Sequence, residues 1–95
     1  MEKKIQSKVI KFLKEQGAYV IKTKPGMGTP VGCPDIVALF RDRWMVVECK
    51  ASEAAPFRPG QWPTLVHLGE GNKYVYVVYP ENWADQKLEM LTHFF

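Results

Sequence analysis

The chain opens on a helical rhythm: Ile5, Val9, Phe12 and Leu13 recur at spacings of three and four between Glu2 and Gln16, and Gly17 supplies a stop. The other face carries Lys3, Lys4, Lys8, Lys11 and Lys14, the solvated side of an amphipathic helix whose charges still add to the field along a DNA path. Alternation then replaces the helical period in Ala18 to Lys24, which predicts a strand near a sheet edge. Pro25 to Gly32 is too rich in glycine and proline for either regular element and reads as a loop bordering a site, or as a plain connection. It lacks the lysine and hydroxyl residue of a phosphate-cradling P-loop. Two apolar runs, Asp35 to Phe40 and Trp44 to Ala51, predict strands covered on both faces, joined at Arg41-Asp42-Arg43. After a polar, proline-punctuated loop, Pro59-Gly60-Gln61-Trp62-Pro63 opens a helix through about Leu68, since prolines are tolerated in a first turn. Lys73 to Tyr79 predicts a further strand and Glu81 to Leu91 a C-terminal helix with an apolar tail. The expected architecture is α/β, a mixed central sheet flanked by helices, with an α-β-β-β-α-β core plus the C-terminal helix.

Ninety-five residues with 46% hydrophobic content allow one domain, spanning 1–95. A domain of that size buries roughly 65% of its extended surface, enough for one core. Two cysteines, Cys33 and Cys49, are too few for a secreted disulfide scaffold and predict reduced thiols in the cytoplasm. The start Met1-Glu2-Lys3-Lys4 leads into an amphipathic stretch rather than a signal peptide, and no run reaches membrane-spanning length. A net charge of +3 permits nucleic-acid binding without requiring it.

Charge inside the two apolar strands changes the picture. Asp35 opens one, and Glu48 and Lys50 close the other on a shared face, with Cys49 pointing oppositely. Such groups are costly there unless paired with each other, a metal or a ligand. A turn of two or four residues would place Asp35 directly opposite Glu48 or Lys50, with Cβ atoms ~5 Å apart, close enough for two carboxylates to share a cation. A three-residue turn without a bulge would put Asp35 on the Cys49 face. The simpler readings are a strand-entry aspartate and an intrastrand Glu48–Lys50 ion pair.

Pro34-Asp35, twelve intervening residues and Glu48-Cys49-Lys50 resemble the PD-(D/E)xK nuclease superfamily. The leading Glu2, Gly32-Cys33-Pro34-Asp35-Ile36-Val37, Val47-Glu48-Cys49-Lys50-Ala51 and the helix-opening Gln61 together look like the VRR-NUC (virus-type replication-repair nuclease) family in its minimal, free-standing phage form. The resemblance implies a restriction-endonuclease-like fold and a metal-dependent endodeoxyribonuclease. Asp35 and Glu48 would bind Mg2+ or Mn2+ with the main-chain carbonyl of Cys49. Glu2 would reach the same site, and Gln61 would hold Lys50 or the attacking water. Simpler readings keep Glu2 as a helix-dipole carboxylate and Gln61 as a helix cap.

Phosphodiester hydrolysis needs charge neutralisation at the phosphate, an activated water and a stabilised leaving oxyanion. Two carboxylates offer hard ligands for the ion, and Lys50 can orient or deprotonate the water or stabilise the transition state. Lys22, Lys24 and Arg58 flank the inferred cleft as candidate DNA-phosphate contacts, with ordinary loop solvation as the alternative. Free-standing family members resemble Holliday-junction resolvases, so the expected substrate is branched or structured DNA, cut by a homodimer in replication or repair. Leu88, Met90, Leu91, Phe94 and Phe95 offer a dimer surface or a cover for their own sheet. Rival functions are a flap or end-processing nuclease and a non-catalytic DNA-binding module. If phage-encoded, the protein belongs in the host-cell cytoplasm.

Overall fold

The structure, a computed structural model, describes residues 2–24 and 28–95. The expected loop over Pro25, Gly26 and Met27 lies outside the described residues.

Helix α1, Glu2–Glu15, forms because Ile5, Val9 and Leu13 stack one turn apart on a single buried face. It ends in a Schellman motif. Gly17 turns left-handed at φ 93°, its N–H donates to the Lys14 carbonyl at 3.0 Å, and the Ala18 N–H donates to the Leu13 carbonyl at 3.0 Å. The chain is thereby redirected at once into β1, Tyr19–Lys22. Strands β2, Ile36–Phe40, and β3, Arg43–Cys49, follow. Helix α2, Gln61–Gly71, strand β4, Val75–Val78, and helix α3, Trp83–His93, complete the chain.

One sheet holds all four strands in the order β1-β2-β3-β4. The first two pairings are antiparallel and β3 pairs with β4 in parallel, the connection for which α2 provides the necessary crossover. This is the mixed α/β architecture expected from the pattern. Strand ends differ by a few residues: β1 stops at Lys22 rather than Lys24, and β4 covers Val75–Val78 rather than Lys73 to Tyr79. Helix α2 runs three residues beyond Leu68, because neither Gly69 nor Gly71 breaks the helix before Asn72 takes an extended conformation.

Two layers of helix unequally cover the sheet. Ile36, Ala38, Met45, Val47, Cys49 and Val78 face a core closed by Ile5, Val9 and Leu13 of α1, Met90 of α3 and Phe94 just beyond it. Met90 and Phe94 are fully buried, so these C-terminal residues cover their own sheet, whereas Leu88 and Leu91 are exposed. Phe94 and Phe95 pack edge-on against each other at 4.9 Å, and Phe12 stacks edge-on against Trp83 at 5.5 Å. The opposite sheet face is covered by α2 only in part, leaving Tyr19, Ile21, Leu39 and Trp44 exposed. The covering of both faces expected for β2 and β3 therefore fails at Leu39 and Trp44, on the face that α2 covers only in part.

The hairpin joining β2 to β3 uses two residues, Arg41 and Asp42, because Phe40 pairs with Arg43. Arg41 takes a positive φ of 58°, as the first turn position of a tight hairpin demands. This turn sets the parity of everything beyond it. One step past the last regular pair, Ile36 with Val47, Asp35 lies across from Glu48.

Candidate active site

Asp35 and Glu48 are buried side by side on the face that α2 shares, 5% and 1% exposed. The Asp35 N–H donates to Glu48 Oε1 at 3.3 Å, and the Cys49 N–H donates to Asp35 Oδ2 at 2.8 Å. The Asp35 carbonyl accepts from the Thr23 N–H at 2.9 Å, which ties the site to the end of β1. Each carboxylate is thus anchored by backbone that the hairpin register itself supplies.

Burial, followed by the neighbouring Asp35 carboxylate, pushes the Glu48 carboxyl up to about 8. Arg58 and the Asp35 N–H pull it down, and the Glu2 carboxylate adds slightly to the rise. Glu2 therefore stands within electrostatic reach of the pair. It is half-buried, and its Oε1 accepts from Gln6 Nε2 at 3.4 Å.

Arg58, from the loop ahead of α2, supplies the counter-charge. Its Nη2 lies 2.7 Å from Asp35 Oδ1 and 3.6 Å from Glu48 Oε2. Burial works against its charge, but the two carboxylates outweigh that cost and hold the guanidinium charged. Sequence reasoning placed Arg58 at the rim of the cleft, whereas the structure puts it on both carboxylates. Nothing in a proline-flanked loop distinguishes such a residue from an ordinary solvated arginine.

Lys50 sits one residue past the end of β3. Its Nζ donates to the Glu53 carbonyl at 2.9 Å and lies over the rings of Phe57 and Tyr79, at 4.8 and 5.7 Å. The intrastrand ion pair with Glu48 is therefore not what holds this ammonium. Gln61, 2% exposed at the start of α2, accepts from the Arg58 N–H at 2.7 Å through Oε1, and its Nε2 has no partner among the described residues. It braces the Arg58 backbone rather than Lys50. The Cys49 side chain points into the core, where burial and then the Asp35 and Glu48 carboxylates push its thiol up. That leaves its main chain as the part available to the site. Lys22 and Lys24 are exposed at the end of β1.

A cavity of about 250 Å³ opens beside the pair, with Thr23, Cys33, Asp35, Arg58 and Gln61 among its walls. Gly32 forms part of the rim at φ 81°, and a Cβ there would overlap the Gly60 carbonyl and come within 2.7 Å of Thr64 Oγ1. Only glycine lets this loop lie against the start of α2. Among the described residues no three His, Cys, Asp or Glu side chains gather as a metal cluster. The pair itself suits a hard divalent ion: two buried carboxylates side by side, already sharing one cation.

The family model of archaeal Holliday junction resolvases (Hjc) matches residues 3–61, from α1 to the first residue of α2. The chain belongs to the Hjc family. The Hjc match takes in Asp35, Glu48, Lys50, Arg58 and Gln61, with Glu2 just outside it. The fold agrees. The 1.6 Å structure of Archaeoglobus fulgidus Hjc, a Holliday junction resolvase from an archaeal hyperthermophile, aligns with a TM-score of 0.55 at 19% identity, covering 82% of this chain and 69% of that one. No curated protein matches the chain. Hjc membership agrees with the PD-(D/E)xK resemblance and the restriction-endonuclease-like fold.

Proposed function

We propose that this protein is an endonuclease that hydrolyses phosphodiester bonds in four-way DNA junctions, dependent on magnesium or manganese and acting as a homodimer. The observation that carries the reading is the buried Asp35–Glu48 pair, set face to face by a two-residue turn and sharing one cation, in a chain of the Hjc family.

Asp35, Glu48 and the Cys49 carbonyl would hold the ion, with the Glu2 carboxylate adding to the negative field at the pair. When bound, the ion supplies charge neutralisation at the phosphate and activation of a water. Lys50 is held at the Glu53 carbonyl in this structure, and its flexible stem would let Nζ turn to orient the attacking water or donate a hydrogen bond where negative charge develops. Gln61 fixes the loop that carries Arg58 beside the cavity. Exposed Lys22 and Lys24 would meet the DNA backbone at the mouth of the site.

A homodimer fits paired cuts related by a two-fold axis. The exposed sheet face with Tyr19, Leu39 and Trp44 is a better-supported surface for it than the C-terminal segment, whose Met90 and Phe94 are buried within the chain. The free cysteines Cys33 and Cys49 support a cytoplasmic setting, the host's if the chain is phage-encoded. The finer VRR-NUC likeness rests on the motifs around Asp35, Glu48 and Gln61.

The test compares labelled four-way junction, flap and linear duplex with Mg2+, Mn2+ or chelator, beside Asp35→Asn. Symmetric metal-dependent nicks in the junction, lost in the variant, are expected. Flap-selective cutting would favour an end-processing nuclease, and binding without cleavage in any metal would leave a DNA-binding module.

A further inference from the structure

We propose that Arg58 is a resident cation that occupies the carboxylate pair before the metal does, and is transferred to a DNA phosphate when the metal takes its place. This rests on the metal-dependent reading above and deepens it.

Three observations converge on Arg58. A single nitrogen, Nη2, reaches both Asp35 Oδ1 and Glu48 Oε2, the two oxygens of the pair that do not accept a backbone N–H and are therefore open to a shared cation. The guanidinium and a metal therefore compete for the same oxygens. Next, the Arg58 side chain is 48% exposed although the carboxylates it serves are almost wholly buried. It reaches in from solvent and can swing out without opening the core. Finally, its backbone stays tied when the head leaves, because the N–H of Arg58 donates to Gln61 Oε1, on the first turn of α2. The released guanidinium remains at the wall of the cavity beside the pair, which Gln61 also lines. A planar guanidinium freed at that wall suits a phosphate.

The exchange would couple the two ligands. Without metal, the arginine is held by the carboxylates and is withheld from DNA. With metal, the same charge becomes a phosphate contact, so the metal prepares both the chemistry and the grip.

The test measures Ca2+ binding by calorimetry at pH 8.5, where proton competition is weak, in wild type, Arg58→Met and Arg58→Lys. Removing a charge-assisted competitor should tighten Ca2+ binding about tenfold or more in Arg58→Met, with Arg58→Lys between it and wild type. Junction binding is then followed by fluorescence anisotropy across a salt series. The slope of log K against log salt should differ between wild type and Arg58→Met by about 0.9 in Ca2+, one phosphate contact, and by nearly nothing in chelator. Equal or weaker Ca2+ binding by a folded Arg58→Met would overturn the exchange, as would the same slope difference with and without Ca2+. Should Arg58→Met fail to fold, wild-type-like Ca2+ affinity in Arg58→Lys together with an unchanged slope would overturn it equally. Absence of Ca2+ binding in every form would remove the metal-dependent reading itself.

Discussion

Glu48→Gln should make the metal-free protein more stable at alkaline pH, although it removes a residue on which activity is expected to depend. Glu48 is 1% exposed and its carboxyl titrates at about 8 in place of 4.5. At ~1.4 kcal/mol per tenfold change in proton affinity, that displacement corresponds to roughly 5 kcal/mol. The folded chain holds this proton where the unfolded chain has released it. Stability from Glu48 is therefore complete below about pH 4.5, declines as pH rises, and is gone once pH passes about 8. For a domain whose whole stability is on the order of 5–15 kcal/mol, this is a large fraction.

An amide has nearly the shape of the protonated carboxyl and never ionises. Urea unfolding in chelator, followed by tryptophan fluorescence, should give similar stabilities for wild type and Glu48→Gln at pH 5. At pH 9 the variant should be ahead by about 2–5 kcal/mol. Other groups that titrate over this range do so in both proteins and cancel in the difference. Mg2+ should close the gap by stabilising the wild type alone. A Glu48→Gln protein no more stable than wild type at pH 9 would refute the account of a strained, buried carboxylate pair.

Metal binding should carry a proton signature, since the ion must displace the Glu48 proton: calorimetry in buffers of different ionisation enthalpy should show proton release at pH 6.5, falling toward zero above about pH 8. Lys50→Ala should lower kcat on junction DNA by roughly 10²- to 10⁴-fold. It should cost only about 1 kcal/mol of stability, because Lys50 contributes one exposed hydrogen bond and cation–π contact with Phe57 and Tyr79. Thermal melts beside single-turnover kinetics separate the two effects. Gly32→Ala meets both a left-handed φ and the Gly60 carbonyl, so it should destabilise by about 1–3 kcal/mol and move Tm down by roughly 4–8 °C per kcal/mol. An unchanged melt would mean that the loop does not lie against α2.

The helices and strands were legible because their apolar periods are strong: Ile5, Val9 and Leu13 can only face one way, and Gly17 marks the stop that the Schellman motif uses. Asp35 and Glu48 stood out because carboxylates are expensive within such apolar strands. Their surroundings were less legible. Where Lys50 turns depends on Glu53, Phe57 and Tyr79, a loop carbonyl and two rings from separate parts of the chain. Arg58 lies 23 residues from Asp35 in sequence, and no periodicity links a loop arginine to a strand-entry aspartate. The role of Gln61 as a brace for Arg58 likewise follows from loop geometry, which composition does not encode. Residues within regular elements were predictable from local pattern, and residues placed by loops were not.

The register of a single hairpin therefore decides more of the chemistry than any one side chain. Residue parity is strict in a strand, so the two-residue turn at Arg41 and Asp42 places Asp35 with Glu48 and sends Cys49 into the core. The same pairing brings the Cys49 N–H to Asp35 and the Asp35 N–H to Glu48, so the backbone that fixes the carboxylates is the backbone that fixes their register. Two negative groups forced together in this way raise the proton affinity of one and recruit a guanidinium to both. Both responses are those of a site that favours added positive charge. The preference for a cation is thus built into the sheet, and the loops around it determine which cation is held and what it does next.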